Sequence, residues 1–169
     1  MSLRQSDRVI GMIVSDDFDT SVLTISKYGM AKRTRLGSGE MISAIDEDGN
    51  EIVNEDGEII TDRDGYRKTN RGTKGVKTMS LRDKDEIVSV RQIPDLEDQL
   101  FILTKTGMMI RLAAAQTKET RGKVTKGTRI MELRNADKTD HVDEIIFVAR
   151  LPAELLEDDK TLESDEEEE

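Results

Sequence analysis

The sequence contains no cysteine and no tryptophan, and only five of its 169 residues are phenylalanine or tyrosine. Without cysteine the chain cannot form a disulfide, a thiolate zinc site or a cysteine nucleophile. So few aromatic rings disfavour recognition of nucleic acid by the stacking of bases. No apolar run approaches the roughly 18 residues of a membrane-spanning helix, and no signal-peptide pattern opens the sequence. We therefore expect a cytoplasmic protein with no membrane partner.

The residue patterns of common catalytic and metal sites are also missing. His141 is the only histidine and lies in a polar stretch, with no Ser or Cys nucleophile that it could recognisably serve. The Asp-Gly pairs at 48–49, 56–57 and 64–65 lack the acid that a calcium loop places five residues before its glycine, so they indicate hairpin turns. The phosphate-loop motifs of nucleotide-binding proteins are absent. The sequence thus predicts no catalytic residue, no metal site and no cofactor held by this chain.

The charge is unevenly distributed. The net charge is −10, but residues 37–65 and the tail 154–169 each hold ten acids and one base, which leaves the rest of the chain at +8. The tail buries too little apolar surface to fold, so we expect it to be disordered. A basic core is typical of proteins that bind a phosphate backbone. Solvated Lys and Arg on edge strands would give the same charge, and composition alone leaves both interpretations open.

Two stretches of the chain repeat each other. Residues 23–33, LTISKYGMAKR, align with residues 101–111, FILTKTGMMIR. Each copy is followed by an Arg-Gly…Lys-Gly turn, at 71–75 and at 121–127. A repeated β-rich unit of this length predicts an array or a propeller, and glycine-containing turns flanked by cations suit close approach to phosphate.

Short, alternating apolar segments predict an all-β fold. Gly29 and Gly107 fall where a two-residue hairpin turn needs a positive φ. Residues 9–14, 87–92 and 145–150 look like three copies of one strand, which suits two blades side by side. The predicted strands are 8–14, 21–27, 30–35, 76–81, 86–92, 99–104, 108–112, 128–133 and 142–149.

The spacing of the repeats divides the chain into units. We place a two-blade unit in residues 1–153, with blade one at 8–92 and blade two at 93–153. Blade one carries the acidic segment 37–65 as an insert, which its Asp-Gly turns predict to be a small β-hairpin or meander. Residues 154–169 form the acidic tail.

Three motifs that recur in order resemble a repeat of the C-terminal domain of the DNA gyrase A subunit. They are ISKYGMAKRT at 25–34, YRKTNRGTKGV at 66–76 and DEIVSV at 85–90. The second copy, at 103–111 and 120–133, is similar to the neighbouring repeat. The acidic tail also resembles the end of that subunit, so the resemblance covers nearly everything except the insert.

The resemblance implies a β-pinwheel, a propeller-like array of blades of four antiparallel strands, of which two are present here. In that family a basic rim wraps duplex DNA and supports ATP-dependent negative supercoiling by the holoenzyme. The implied partners are duplex DNA, the gyrase B subunit, and the rest of the gyrase A subunit. The implied location is the nucleoid of the bacterial cytoplasm. The tyrosine nucleophile, the ATPase site and the ATP and Mg²⁺ of the holoenzyme would lie outside this chain. Two blades cannot close a ring, so the exposed edges are expected to pair with another copy.

Two alternatives stay open. The diagnostic family box, Gln-Arg-Arg-Gly-Gly-Lys-Gly, has only a degenerate counterpart at 69–75, so the related domain of topoisomerase IV, which binds DNA without full wrapping, fits as well. A protein-interaction propeller without DNA binding is the other.

In the DNA-binding interpretation, cations at the hairpins and glycine turns contact phosphates, and the acidic tail competes with DNA for them. These predicted DNA-binding residues are Lys32, Arg33, Arg35, Arg67, Lys68, Arg71, Lys74, Lys77, Arg111, Lys118, Arg121, Lys123, Lys126 and Arg129.

Overall fold

The structure is a computed structural model that describes residues 6–46, 48–120, 124–135, 140 and 142–155. Strands and turns make up this part of the chain, together with one 3₁₀ turn at Ala114–Gln116. No helix in it is long and apolar enough to cross a bilayer. The strands are β1 (Ser21–Ser26), β2 (Met30–Arg35), β3 (Met41–Ser43), β4 (Thr61–Arg63), β5 (Ile87–Ile93), β6 (Gln99–Thr104), β7 (Met109–Ala113), β8 (Thr128–Arg129) and β9 (Ile145–Leu151).

The first sheet has the order β5-β1-β2-β8, with all pairs antiparallel. Its centre is the β1–β2 hairpin, in which Leu23 lies opposite Arg33 on one side and opposite Arg91 of β5 on the other. The hairpin turns at Gly29, whose φ of 81° is in the left-handed region and whose N–H donates to the Ser26 carbonyl at 3.2 Å. The hairpin predicted from the first repeat is confirmed.

The second sheet repeats this arrangement with the order β7-β6-β9. Its hairpin turns at Gly107, which has a φ of 90°. Both central strands shift register at the same point, between Ile25 and Ser26 in β1 and between Leu103 and Thr104 in β6. Because even this irregularity recurs, the two sequence copies fold as equivalent units, and the all-β prediction is confirmed.

The second copy contributes a strand to the first sheet. Arg129 of β8 lies opposite Met30 of β2, and the Ile130 N–H donates to the Gly29 carbonyl at 2.9 Å. The approach is close, since a Cβ at Gly29 would lie 2.3 Å from the Met131 carbonyl oxygen. The second copy therefore pairs directly with the sheet of the first. The blade boundaries at 8–92 and 93–153 stay a prediction.

One apolar cluster is shared by both sheets. Fully buried Leu and Ile side chains of this kind each contribute about 1.5–3 kcal/mol relative to an exposed position. The cluster contains Leu23, Ile25, Ala31, Ile93, Leu100, Ile102, Leu112, Ala114, Met131, Leu133, Ile145 and Val148. It joins the two units into a single packed body.

The acidic insert is a compact set of hairpins, as predicted. Strands β3 and β4 form its base. Beyond them, three positions eight residues apart form a closed triangle of hydrogen bonds: Ala44 N donates to Ile60 O, Ile60 N to Ile52 O, and Ile52 N to Ala44 O, each at 2.8 Å. Gly49 and Gly57, both with positive φ, make the turns between these positions.

Three strand predictions are wrong. Residues 8–14 have no strand partner in the described part of the chain, because the two edges of β1 are already taken by β2 and β5. Residues 76–81 make only one bridge, from Met79 to Thr125. β8 ends at Arg129 instead of 133. The three-copy pattern therefore holds at 87–92 and 145–150 but not at 9–14. The tail from residue 156 onward lies outside the described residues.

Candidate nucleic-acid interface

Lys32 is buried rather than exposed on a rim. It is 1% exposed, because β2 is an interior strand of its sheet. Its Nζ donates to the Thr78 carbonyl at 2.8 Å, and burial lowers its pKa. The prediction that Lys32 contacts phosphate at the surface is wrong.

Arg33 is also buried, at 8% exposure. Its Nε donates to the Thr117 carbonyl at 3.1 Å, and its Nη1 lies 2.8 Å from Glu119 Oε2. The guanidinium therefore links β2 to residues 117–119, which follow β7 in the second copy. The prediction that Arg33 is a surface phosphate ligand is likewise wrong.

Arg35, at the end of β2, is half-buried and faces carboxylates. Its Nη2 is paired with Asp19, and its Nε lies 3.7 Å from Asp64 Oδ1. Much of its charge is therefore offset by acids of the same chain.

The loop between Tyr66 and Met79 carries a set of exposed cations. Its first end is held by Tyr66, whose N–H donates to the Leu36 carbonyl at 2.9 Å and whose hydroxyl is hydrogen-bonded to that of Thr78. Gly72 and Gly75 inside the loop both have positive φ. The exposed cations of this loop, which we call the glycine-turn cations, are Arg67, Lys68, Arg71, Lys74 and Lys77.

These side chains have few competing partners. Within the described ranges no carboxylate lies within salt-bridge distance of Arg71, Lys74 or Lys77. Lys68 Nζ lies 5.9 Å from the centroid of the Phe18 ring, a weak cation–π contact. Cations that are exposed and not neutralised by neighbours are the type that binds phosphate.

Cations of the second copy lie along the outer edge of the first sheet. Lys118 precedes Glu119, which bridges to β2, and Lys126 precedes β8. Arg129 belongs to β8 itself and pairs with Glu132 at 2.6 Å. All three are exposed, and we call them the edge cations.

One bridge links the end of the glycine-turn loop to the second copy. The bridge between Met79 and Thr125 brings the end of the glycine-turn loop beside the residue that precedes Lys126. The Ser80 N–H also donates to the Thr125 carbonyl at 2.8 Å. The end of the glycine-turn loop is thus a neighbour of the segment that leads into Lys126 and β8.

The remaining predicted residues are placed differently. Arg111 is exposed on β7, in the second sheet, with its guanidinium carbon 5.7 Å from the Phe101 ring. Arg121 and Lys123 lie outside the described residues, as does His141.

The lysines of the two hairpin turns are engaged with acids. Lys27 Nζ lies 2.7 Å from Glu144 Oε2, and Lys105 Nζ lies 3.1 Å from Glu144 Oε1. The hydrogen bond from Lys27 lowers the pKa of Glu144, and Glu144 in turn raises the pKa of Lys27. The repeated turn lysines therefore stabilise the junction between the sheets.

In each hairpin turn a backbone N–H donates to the carboxylate of a distant aspartate. Asp85 accepts from the Tyr28 N–H at 3.1 Å, and Asp143 accepts from the Thr106 N–H at 3.2 Å. Burial acts to raise the pKa of Asp143, but hydrogen bonds from Thr104 and Thr106 outweigh it and lower the pKa to about 2. Both carboxylates therefore act as hydrogen-bond acceptors that stabilise the hairpin turns.

The family model described as DNA gyrase C-terminal domain, beta-propeller, matches residues 59–94 and 98–150, which is more than half of the chain. The chain belongs to this family. It is 28% identical to the DNA gyrase A subunit of Staphylococcus epidermidis over 135 residues, covering 79% of this chain and 12% of that protein. It is 28% identical to the Campylobacter jejuni counterpart over 157 residues, covering 92% of this chain and 14% of that protein. The chain thus spans about one eighth to one seventh of the length of these curated relatives.

Solved structures show the same fold. The C-terminal domain of DNA topoisomerase IV superposes with a TM-score of 0.61 at 18% identity, covering 89% of this chain and 36% of that chain. The C-terminal domain of E. coli ParC superposes with a TM-score of 0.52, also at 18% identity, covering 81% of this chain and 43% of that chain. The two sheets are therefore propeller blades.

Within this gyrase-type domain, the family match includes both glycine turns but begins at residue 59, after most of the acidic insert. Two exposed cations that follow the glycine-turn loop, Arg82 and Lys84, are absent from the predicted residues. They alternate with Asp83 and Asp85, so their segment has no net charge and we leave it out of the candidate surface. Within the described part of the chain no cluster of three or more metal-ligating side chains is present.

Proposed function

We propose that this chain is a non-catalytic DNA-binding module of a type IIA topoisomerase, of the gyrase A type. The observation that carries the proposal is the exposure of the glycine-turn cations on a loop whose end is bridged to the segment that leads into the exposed Lys126. Family membership supports the same assignment. Duplex DNA is the proposed ligand, and its phosphates are the proposed contacts.

The chemistry of this surface favours recognition of the backbone over recognition of bases. Lys and Arg side chains release counterions from the phosphates that they neutralise, so affinity should fall with salt by roughly 0.9 in log–log slope per contact. Glycine turns let the protein backbone approach a phosphate closely. Base sequence would then act through the cost of bending the duplex.

We extend the proposal to the role of this module in the holoenzyme. In the holoenzyme, the module would wrap DNA and support ATP-dependent negative supercoiling, together with the B subunit, and with the rest of the A subunit. ATP and Mg²⁺ would act on those other parts, since this chain is proposed to position DNA only. The site of action would be the bacterial nucleoid in the cytoplasm.

Binding of the full chain to two duplexes of unrelated sequence, measured by fluorescence anisotropy across a salt series, tests the proposal. We expect binding at low salt that weakens steeply with added salt and differs little between the two duplexes. If neither duplex binds at low salt, the module is instead a protein-interaction propeller.

The degenerate box at 69–75 keeps the topoisomerase IV type as a second candidate. The gyrase type and the topoisomerase IV type differ in whether the module wraps DNA. Relaxing a circular plasmid in the presence of the chain should change its linking number if DNA is wrapped. DNA binding with no change in linking number would favour the topoisomerase IV type.

A further inference from the structure

We propose that Arg33 is a positioning residue of the DNA-binding surface. It holds the Glu119 carboxylate against the first sheet and so keeps this acid from competing with DNA phosphates for the neighbouring cations. The inference rests on the proposed function, because it concerns the same cationic surface. Arg33 itself is buried and acts only through Glu119 and the backbone around it.

Glu119 is the exception within a basic stretch of the second copy. Residues 111–131 contain six cations and a single acid, which is Glu119. Residues 65–82, the corresponding basic stretch of the first copy, contain no acid. A carboxylate that moved freely in such a stretch would repel phosphates and attract the cations meant for them. The second copy therefore needs a partner for Glu119 that is not one of its surface cations.

The structure supplies that partner from strands β1 and β2. Glu119 Oε2 lies 2.8 Å from Arg33 Nη1 and accepts from the Ser21 hydroxyl at 2.8 Å. The Arg33 side chain is only 10% exposed, so salt screens this pair less than it screens a surface pair. The negative charge of Glu119 is thus offset by a cation that DNA does not contact.

Arg33 also holds the backbone on both sides of Glu119. Its Nε donates to the Thr117 carbonyl at 3.1 Å, and its own carbonyl accepts from the Thr120 N–H at 2.9 Å. Thr117 is extended, and Glu119 bridges in parallel to Arg33. Because successive side chains of an extended segment point to opposite sides, Lys118 faces away from Glu119.

Lys118 is consequently available to a phosphate. It is exposed, and within the described ranges no carboxylate lies within salt-bridge distance of its ammonium. Without Arg33, Glu119 would keep only the Ser21 hydroxyl as a partner. Its carboxylate would then pair with the cations beside it in place of a phosphate.

Fluorescence anisotropy of full-chain variants with one duplex, across a salt series, tests the proposal. Arg33→Gln should weaken binding about fivefold at low salt, because it releases one negative charge beside the phosphates. It should also lower the log–log salt slope by roughly 0.9, the value of one phosphate contact.

Arg91→Gln is the matched control, because it also removes one cation that is bonded to a carbonyl. Arg91 is half-buried and its Nη2 donates to the Val148 carbonyl at 2.7 Å. In the part of the chain that the structure describes, no carboxylate lies within salt-bridge distance of Arg91. Its replacement should leave affinity within about twofold, since it releases no acid.

Two further variants separate this role of Arg33 from a purely structural one. Arg33→Gln combined with Glu119→Gln still lacks the ion pair but has no acid to release, so binding should return to within about twofold of the unmodified chain. Arg33→Lys keeps a positive charge beside Glu119 but loses the Nε bond to Thr117. It should bind like the unmodified chain while its urea midpoint falls.

Ser21→Ala keeps the test decisive if Arg33→Gln does not fold. It removes one of the two partners of Glu119 Oε2 and leaves Arg33 in place. It should weaken binding about twofold at low salt, and adding Glu119→Gln should reverse the loss. Unchanged binding by Ser21→Ala would then overturn the proposal.

Three results would overturn this inference and leave the proposed function standing. They are a double variant that binds as weakly as Arg33→Gln, an Arg33→Lys chain that does so, and an Arg33→Gln chain that binds as tightly as Arg91→Gln. If the unmodified chain binds no duplex at low salt, the proposed function fails and this inference fails with it.

Discussion

The Arg33 guanidinium lies 2.8 Å from the Glu119 carboxylate, and the arginine side chain is only 10% exposed. This pair joins β2 of the first copy to the loop that follows β7 in the second. The pattern Lys32-Arg33 in the first repeat suggests two adjacent surface cations. In the structure both are buried, and Arg33 stabilises the contact between the two copies. The proposed DNA-binding surface therefore consists of the glycine-turn cations and the edge cations, without this pair.

Glu119→Gln should destabilise the folded chain by about 1 kcal/mol, because it leaves the largely buried Arg33 without its counter-charge. Urea unfolding followed by circular dichroism measures the change. The adjacent Lys118→Gln is the control and should leave the midpoint unchanged, since Lys118 is exposed. Equal midpoints for Glu119→Gln and the control would show that the pair contributes nothing to stability.

Lys32→Met should leave DNA affinity within about twofold, because the Lys32 ammonium is enclosed and bonded to the Thr78 carbonyl. Lys126→Met removes a cation of the same type from an exposed position. Under the proposed function it should weaken binding at low salt and reduce the log–log salt slope by roughly 0.9. Anisotropy titrations of both variants against one duplex make the comparison. A larger loss for Lys32→Met than for Lys126→Met would contradict this account of β2.

Asp143→Asn should make the stability of the folded chain depend less on pH between about 4 and 2. Its pKa of about 2 in the folded chain lies below the ordinary value of 3.8, so the charged carboxylate stabilises the fold above pH 4. That contribution disappears as the pH falls from about 4 to 2. We expect the variant to be less stable than the unmodified chain at pH 7 and the difference to shrink toward pH 2.

Thermal melts at pH 7 and at acid pH, with exposed Asp16→Asn as the control, measure this difference. A gap between Asp143→Asn and the unmodified chain that stays constant over the whole range would contradict the role of Asp143 as a charged cap.

Neutralising the end of the tail by replacing Glu166, Glu167, Glu168 and Glu169 with Gln should tighten DNA binding at low salt. The expected reason is that tail acids compete with phosphates for the same cations, an interaction that salt screens. The gain should therefore fade as salt is added. Anisotropy at two salt concentrations measures it, and equal affinities for the two chains at low salt would contradict the competition.

The sequence predicted the repeated hairpins well because their signals are local. The glycines at 29 and 107 mark positive-φ turns, and the apolar alternation around them fixes which faces are buried. The Asp-Gly turns of the insert are local in the same sense. Each of these predictions needed only a few neighbouring residues.

Predictions failed where contacts between residues far apart in sequence determine whether a segment forms a strand or a side chain is buried. Residues 8–14 have the composition of a strand, but the edges of β1 are occupied by β2 and β5. Lys32 looked like a surface cation because its main contact is distant in sequence: its Nζ donates to the carbonyl of Thr78, 46 residues later in the chain. Exposure of the cations at 67–77 was the part of the candidate surface that local composition could anticipate.

The salt dependence of duplex binding by one multiple variant tests the central claim most directly. The variant replaces Arg71, Lys74, Lys77 and Lys126 with Gln, and its control replaces Arg82 and Lys84 with Gln. If the proposed surface binds phosphates, the log–log salt slope should fall by roughly 3–4 for the multiple variant and change little for the control. An unchanged slope in the multiple variant, with folding intact, would contradict the assignment of this surface to DNA.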